Sequence, residues 1–334
     1  YLFMGRAYTF GQIDDHSRAF AAWLQASGLA AGDRVAVMLP NVPAMFEAHF
    51  AVPMTGAVLN TLNTRLDAEA IAFMLQHGEA KVLVVPKRFR GFDHEAMARG
   101  LQPGLPSLQR IVVVEGGGAD DFDALLTTPA WESEPDARDI LTRHRPGPDD
   151  ITQLIYTSGT TGEPKGVMHS ANTVMANIIP YAERLKLGAD DVVLMASPMA
   201  HQTGFMYGLM MPIMLRASAV LQDVWDAKKA VELIRNEGVS FTMASTPFLT
   251  DLTKTVAETA QPVPTLKTFL CAGAPIPGPL VEQARKTLGT KIVSAWGMTE
   301  NGAVTLIKLD DDDERAFTTD GRALPRGEMK ENHF

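Results

Sequence analysis

The sequence predicts an α/β protein made of two mainly parallel βα subdomains packed together, and three observations lead there. Short apolar runs rich in Val, Ile and Leu alternate with segments of helical periodicity, the pattern of a parallel sheet covered on both faces. At 334 residues the chain exceeds the usual size of one domain. A stretch from Glu115 to Asp150, rich in Gly, Pro, Asp and Glu, loses periodicity and reads as a surface segment. It divides the alternation into halves at approximately 1–145 and 146–310, with an irregular tail over 311–334.

In the first half, Tyr8-Thr9-Phe10 precede a helix with apolar Phe20, Trp23 and Leu24, which Gly28 and Gly32 end. Arg34 to Pro40 reads as a buried strand. There follow a helix through Met45 to Val52, a short apolar piece at Val58-Leu59, a helix from Asp67 to Gln76 and a strand from Lys81 to Val85. After a further helix comes the strand Ile111 to Val114. Beyond the divider, apolar flanks at Leu154-Ile155 and Val167-Met168 predict a strand, a glycine loop and a returning strand. The alternation then resumes with a helix from Ala171 to Lys186 and strand Val192 to Met195. Next are a helix near Gly204 to Leu215, strand Ala219 to Leu221, a helix from Asp226 to Asn236 and strand Ser240 to Met243. Helix Phe248 to Val256, strand Lys267 to Leu270, helix Pro279 to Leu288 and strand Lys291 to Ser294 complete the plan. Crossovers are expected to be right-handed, and a cleft between the halves is the natural place for a ligand.

Composition narrows the function. A hydrophobic fraction of 46% with 21% charged residues describes a soluble globular protein with a sizeable core. The net charge of −9, with no Lys/Arg cluster long enough to track a polyanion, argues against nucleic acid as a partner. The longest apolar stretch, Phe205 to Leu215, is interrupted by Gly208 and Pro212 and falls far short of the ~20 residues of a spanning helix. The single cysteine, Cys271, excludes an internal disulfide and suits a reducing, cytoplasmic setting. Inside Thr268 to Ala272 it reads as a small core residue. The acidic run Asp310 to Glu314 lacks the spaced ligands and central glycine of a calcium loop and reads as a solvated turn. Tyr1 to Arg6 lack the zones of a signal peptide, and the absence of Met at position 1 is compatible with a start inside a longer protein.

The chemistry concentrates in Thr157-Ser158-Gly159-Thr160-Thr161-Gly162-Glu163-Pro164-Lys165-Gly166. So many Gly, Ser and Thr residues cannot pack a core. They present backbone N–H groups and hydroxyls, and with Lys165 they can wrap an anion. By composition alone a plain surface connection is the commoner outcome; the order of residues changes this. The run is not a Walker A loop. It resembles the phosphate loop of the adenylate-forming (AMP-binding) family, which includes acyl-CoA synthetases, aryl-CoA ligases, luciferases and peptide-synthetase adenylation domains. That signature reads Thr-Ser-Gly-Thr-Thr-Gly-x-Pro-Lys-Gly, and all nine fixed positions match.

Three further stretches follow apolar strands. Ser197-Pro198-Met199-Ala200-His201-Gln202-Thr203-Gly204 resembles the family's Pro-x-x-His-x-x-Gly segment, which implies an acyl pocket near His201, Gln202, Gly204 and Phe205, with Met298. Met199, Phe205 and Met206 would suit an apolar acid. Gly273-Ala274-Pro275 is by itself a turn; it also matches the family's adenine-binding Gly-Ala-Pro, whose missing side chains admit a flat base. Trp296-Gly297-Met298-Thr299-Glu300 matches Tyr-Gly-x-Thr-Glu, with Trp296 in place of Tyr. The aromatic plane is kept and the polar tip changes. The resemblance implies that Thr299 donates to the α-phosphate and that Glu300 helps hold Mg²⁺, beside Thr157 and Lys165 as catalytic groups and Ser158 to Gly162 as ATP ligands.

Met195 to Leu215 and Ser245 to Leu249 look like acyl-CoA synthetases of alicyclic or medium-chain acids, such as cyclohexanecarboxylate–CoA ligase, while Leu59 to Leu66 look like the fatty-acid branch. The resemblance covers the chain from near Ala19 to about Gly302 and implies the large N-terminal domain of an adenylate-forming enzyme. The implied reaction joins a small-molecule carboxylic acid to ATP, releasing pyrophosphate, and passes the acyl group to coenzyme A. The family's small C-terminal domain is absent, and the polar tail Met329 to Phe334 is compatible with a truncated or frame-altered product. An amino-acid or aryl-acid adenylating domain without CoA chemistry is one alternative, although Ser240 to Leu249 contain no acidic residue to meet an amine. A non-catalytic nucleotide-binding remnant is another. The expected outcome for the purified chain is ATP binding, read by calorimetry, with poor adenylation; robust acyl-CoA formation would contradict it.

Overall fold

The computed structural model describes residues 1–118, 121–127, 141–142, 144–157 and 164–324, in two compact units. One unit is Tyr8–Asn172; the other combines Tyr1–Ala7 with the chain from Thr173 onward. The division therefore falls within the helix Ala171–Arg184 rather than near 145, and the glycine hairpin completes the first sheet instead of opening the second.

The first unit holds a six-stranded sheet in the order Lys165–Ser170, Ile151–Thr157, Val58–Thr61, Arg34–Val37, Ala80–Pro86, Arg110–Val114. All pairs are parallel except the first. Local chemistry explains the helices between the strands. Thr9 and Gln12 close a reciprocal capping box at the start of Phe10–Ala26. Asp67 and Asp93 accept from Ala70 and Ala96 N–H at the starts of Ala68–His77 and His94–Leu101. On one face of the sheet a core gathers Met38, Leu62, Ile71, Leu75, Leu83 and Val85, among others. The segment expected to be surface after Glu115 differs in its described part. Asp121 caps the short helix Phe122–Thr127 through Ala124 N–H, and Phe122 is buried with its ring centroid 4.7 Å from that of Phe20. One aromatic anchor suffices to hold a turn-rich stretch against the core.

The second unit holds a nine-stranded sheet in the order Arg322–Ala323, Gly302–Leu306, Lys291–Met298, Thr268–Ala272, Phe241–Ala244, Val192–Met195, Ser218–Leu221, Leu2–Phe3, Arg6–Ala7. Its middle is parallel, and antiparallel pairs lie at both edges. Leu2–Phe3 and Arg6–Ala7 were not expected, nor was Gly302–Leu306; two-residue and Gly-containing strands carry no period to read. Gly238 and Gly289 end Ala227–Glu237 and Gly278–Leu288 at positive φ. The helix expected from Gly204 begins as a π-helix, Gly204–Met210, and continues as Met211–Leu215. Cys271 is buried, and that burial pushes its thiol up to about 11, as a core residue requires. The acidic run forms a turn that is not wholly solvated: Asp313 pairs with Arg285 Nε at 2.7 Å and with Lys291 Nζ at 2.9 Å. Among the described residues no helix is long and apolar enough to cross a membrane.

Two histidines on neighbouring helices of the first unit respond to pH in opposite senses. His49, in Pro43–Met54, lies 2.6 Å from Met45 O through Nδ1, and burial lowers its pKa from 6.5 to about 4. His16 is raised by its hydrogen bond to Glu47, 2.7 Å away. The contribution of His16 is complete below about pH 6.5 and is lost as pH rises through the raised value. That of His49 is complete above pH 6.5 and is lost as pH falls toward 4, by about 3 kcal/mol in all. Urea unfolding between pH 7 and 4.5 should therefore show a steeper acid loss in wild type than in His49→Gln; equal slopes would mean that His49 titrates normally.

Candidate active site

In the first unit, Thr157 and Lys165 end the paired strands Ile151–Thr157 and Lys165–Ser170 and stand directly opposite each other. Lys165 is exposed and Thr157 half-buried. Ser158, Gly159, Thr160, Thr161 and Gly162, expected to wrap the anion, lie outside the described residues. The base of the hairpin is held firmly. Tyr156 Oη lies 2.8 Å from His77 Nδ1, and burial lifts its pKa to about 12, so the hydroxyl keeps its proton at neutral pH. At Gly166 a Cβ would come within 2.7 Å of Leu154 Cδ1, so the pairing is close here.

The other expected residues belong to the second unit, where parallel register brings their segments to one end of the sheet. Ala244 pairs with Cys271, and Ala272 with Ala295. The chain leaving Thr268–Ala272 turns at once through Gly273, at φ +90°, and Ala274 and Pro275 are exposed beyond it. One strand over, Lys291–Met298 runs four residues past its expected end, carrying Trp296, Gly297 and Met298 in extended form. Trp296 is 46% and Met298 42% exposed, which is unusual for such large apolar groups and leaves both available to a ligand. A bulge between Trp296 and Gly297 re-aims the strand into a turn at Thr299, Glu300 and Asn301. Thr299 is half-buried and Glu300 exposed.

The third segment follows Val192–Met195, at the same end. His201 N–H donates to Pro198 O at 2.9 Å, and its Nδ1 accepts from Thr203 N–H at 3.2 Å. The ring proton therefore sits on Nε2. His201 reaches the surface, yet neighbours crowd the ring, and the resulting desolvation holds its pKa below the usual histidine value. It is a neutral donor at neutral pH. Gln202 is buried with Nε2 3.1 Å from Met206 Sδ. Met199, Phe205 and Met206 face the interior. Gly204 has no room for a side chain: a Cβ would lie 2.2 Å from Pro198 O.

Two residues that sequence reasoning missed support the Thr299–Glu300 turn. Tyr207, in the π-helix, donates to Asn177 Oδ1 at 2.6 Å and accepts from Ala303 N–H at 2.8 Å. Asn177 Nδ2 donates to Asn301 O at 3.0 Å and to Ala303 O at 2.8 Å. The legible signal was Asn177 itself, a polar residue on the apolar face of Val174, Ile178 and Tyr181. No group of three or more His, Cys, Asp or Glu suited to a metal gathers among the described residues. Thr157 and Lys165 thus stand on one unit, and the His201, Gly273 and Trp296 segments on the other.

The AMP-binding enzyme family model matches residues 1–330, and the chain belongs to that family. Medium-chain fatty-acid–CoA ligase of Escherichia coli (strain K12) is 30% identical over 326 residues, covering 98% of this chain and 57% of the relative. A (methyl-dioxo-octahydroindenyl)propanoyl:CoA ligase of Rhodococcus jostii (strain RHA1) is 30% identical over 332 residues, covering 96% and 64%. The chain thus spans 57% and 64% of the length of these two relatives. The N-terminal domain of FACL13 from Mycobacterium tuberculosis, solved with an inhibitor, matches at a TM-score of 0.82 and 25% identity over 96% of this chain and 78% of that one. The fold is that of the N-terminal domain of adenylate-forming enzymes.

The two turn glycines should respond differently to Ala. In Gly297→Ala the new Cβ would meet Gly302 O at 2.0 Å, and a loss of about 1–3 kcal/mol is expected. Gly273→Ala meets nothing within 4 Å and carries only the cost of its positive φ, about 1–2 kcal/mol. Denaturant unfolding of both variants checks this; a neutral Gly297→Ala would exclude the tight hairpin.

Proposed function

We propose that the chain is the nucleotide- and acid-binding part of an ATP-dependent carboxylic acid:CoA ligase that activates an alicyclic or medium-chain fatty acid. The reading is carried above all by the nine-position run Thr157 to Gly166, whose two described ends oppose each other across an antiparallel pair in a member of the AMP-binding family. The names of the ligase relatives, one acting on a medium-chain and one on a ring-bearing acid, support the acid class. A cytoplasmic setting suits the reduced Cys271.

In this reading a carboxylate oxygen of the acid attacks the α-phosphorus of ATP. The bond to the bridging oxygen breaks, pyrophosphate leaves with its electron pair, and an acyl-adenylate remains. The thiolate of coenzyme A then takes the acyl carbon and AMP departs. Two anions must meet, so the site contributes orientation and positive charge more than covalent chemistry. Lys165 and the hydroxyls and N–H groups from Thr157 to Gly162 would hold the phosphates. Thr299 would donate to the α-phosphate. Gly273 to Pro275 and the exposed face of Trp296 would receive the adenine. Glu300, a single exposed carboxylate, fits Mg²⁺, which prefers few carboxylates alongside phosphate oxygens and, when bound, would offset phosphate charge. His201 Nε2–H would orient the acid, with Gln202, Gly204, Phe205 and Met298 around it.

ATP–pyrophosphate exchange with a panel of acids tests this. Exchange should appear, slowly as expected of a chain that adenylates poorly, with alicyclic or medium-chain aliphatic acids. Lys165→Ala and Glu300→Gln should each lower it about a hundredfold. Exchange with amino acids alone would favour an adenylating domain without CoA chemistry, and none with any acid would favour a non-catalytic remnant.

A further inference from the structure

We propose that Tyr207 and Asn177 are positioning residues that set the height and orientation of the turn carrying Thr299 and Glu300, and so link it to the acid-facing segment at His201. The proposal rests on the assignment of that turn to the nucleotide phosphates. The network is small, and the Gln202 side chain also reaches the Tyr207 hydroxyl. The Tyr207 hydroxyl uses its one proton on Asn177 Oδ1 and receives the Ala303 N–H; Asn177 Nδ2 spends its two protons on the carbonyls of Asn301 and Ala303. Every hydrogen bond to the turn and its return strand is made to backbone, at Asn301 and Ala303. Such contacts fix the path of the chain and leave the side chains of Thr299 and Glu300 open to a ligand.

Space is used as tightly as the hydrogen bonds. Gly302, at φ +65°, lies so near that a Cβ would come within 2.4 Å of the Asn177 side chain. On the facing strand, a Cβ at Gly297 would come within 2.0 Å of the Gly302 carbonyl oxygen. Tyr207 and Asn177 are buried, so each donor and acceptor must find its partner inside the protein. The same π-helix that carries Tyr207 begins at Gly204, packed on the Pro198 carbonyl of the His201 turn. A shift of the acid-facing turn is therefore felt, through one short rigid helix, at Ala303. π-Helices are uncommon and recur at functional sites.

A merely structural role is the alternative, and Tyr181 supplies the comparison. Its ring is stacked on Tyr207 with centroids 4.2 Å apart, it is equally buried, and its hydroxyl donates to Met243 Sδ at 3.1 Å rather than to the turn. Tyr207→Phe and Tyr181→Phe remove the same atom from the same stack. Only the first should disturb the turn.

The test measures two things on the full chain: hydrogen–deuterium exchange over residues 298–303, and calorimetric binding of a non-hydrolysable acyl-sulfamoyl-adenosine. In Tyr207→Phe, exchange in that segment should quicken and affinity should fall, each roughly tenfold or more, as expected when buried groups lose a partner. Asn177→Asp, which keeps the acceptor for Tyr207 and loses both donors to the turn, should do the same. Tyr181→Phe should stay within about twofold of wild type in both. If the wild-type chain binds the analogue and Tyr207→Phe matches Tyr181→Phe, the proposal alone falls. If wild type binds no analogue, the phosphate assignment falls and takes the proposal with it.

Discussion

The parallel register of Phe241–Ala244, Thr268–Ala272 and Lys291–Met298 is the constraint on which the second unit depends. Parallel strands joined by helices all point the same way, so the segments that leave them emerge on one side. Three separate pieces of sequence, near His201, Gly273 and Trp296, thereby become neighbours in one row although they are far apart along the chain. The chemistry each contributes is modest: a neutral imidazole donor, a bare backbone turn, an exposed indole with a carboxylate four residues further on. Their value comes from alignment, which the sheet supplies before any ligand arrives.

Most of this frame was legible in the sequence because it is written in apolar periodicity. Val, Ile and Leu runs marked the parallel strands of both sheets, and caps such as Asp67, Asp226 and Gly238 lay where helix ends were sought. What was missed has physical reasons. Leu2–Phe3 and Arg6–Ala7 are too short to alternate. Gly302–Leu306 opens on a glycine and is held by pairing with the strand just before it, which was read as ending at Ser294. Phe122 is one anchoring ring in a stretch of turn formers, and composition averages it away. The place of the division between units also escaped notice, since Pro146, Gly147 and Pro148 punctuate the chain more loudly than Asn172 does.

The candidate residues were found by motif and only partly explained by it. A motif names Thr299 and Glu300; it is silent about Asn177 and Tyr207, which come from two other elements and hold the turn and its return strand by main-chain groups alone. Polar residues of this kind hide among apolar neighbours. Burial then makes them demanding, because an unmatched hydroxyl or amide inside a protein is strongly unfavourable. Similarly, the hairpin at Thr157 and Lys165 was recognised by its letters, while its foundation at Tyr156 and His77 depends on residues seventy-nine positions apart.

The N-terminal strands have an implication for how the chain comes to its final state. Tyr1 to Ala7 lie in the same unit as everything after Asn172, with Leu2 beside Val220 and the Tyr1 hydroxyl on the Leu209 carbonyl. The unit from Tyr8 to Asn172 is thus an insertion within its neighbour. Leu2–Phe3 and Arg6–Ala7 can pair with each other locally, but Leu2–Phe3 can join Ser218–Leu221 only after the more than two hundred residues between them have been made. Closure of that last seam is a non-local event, and it ties Tyr1 to the helix that bears Tyr207.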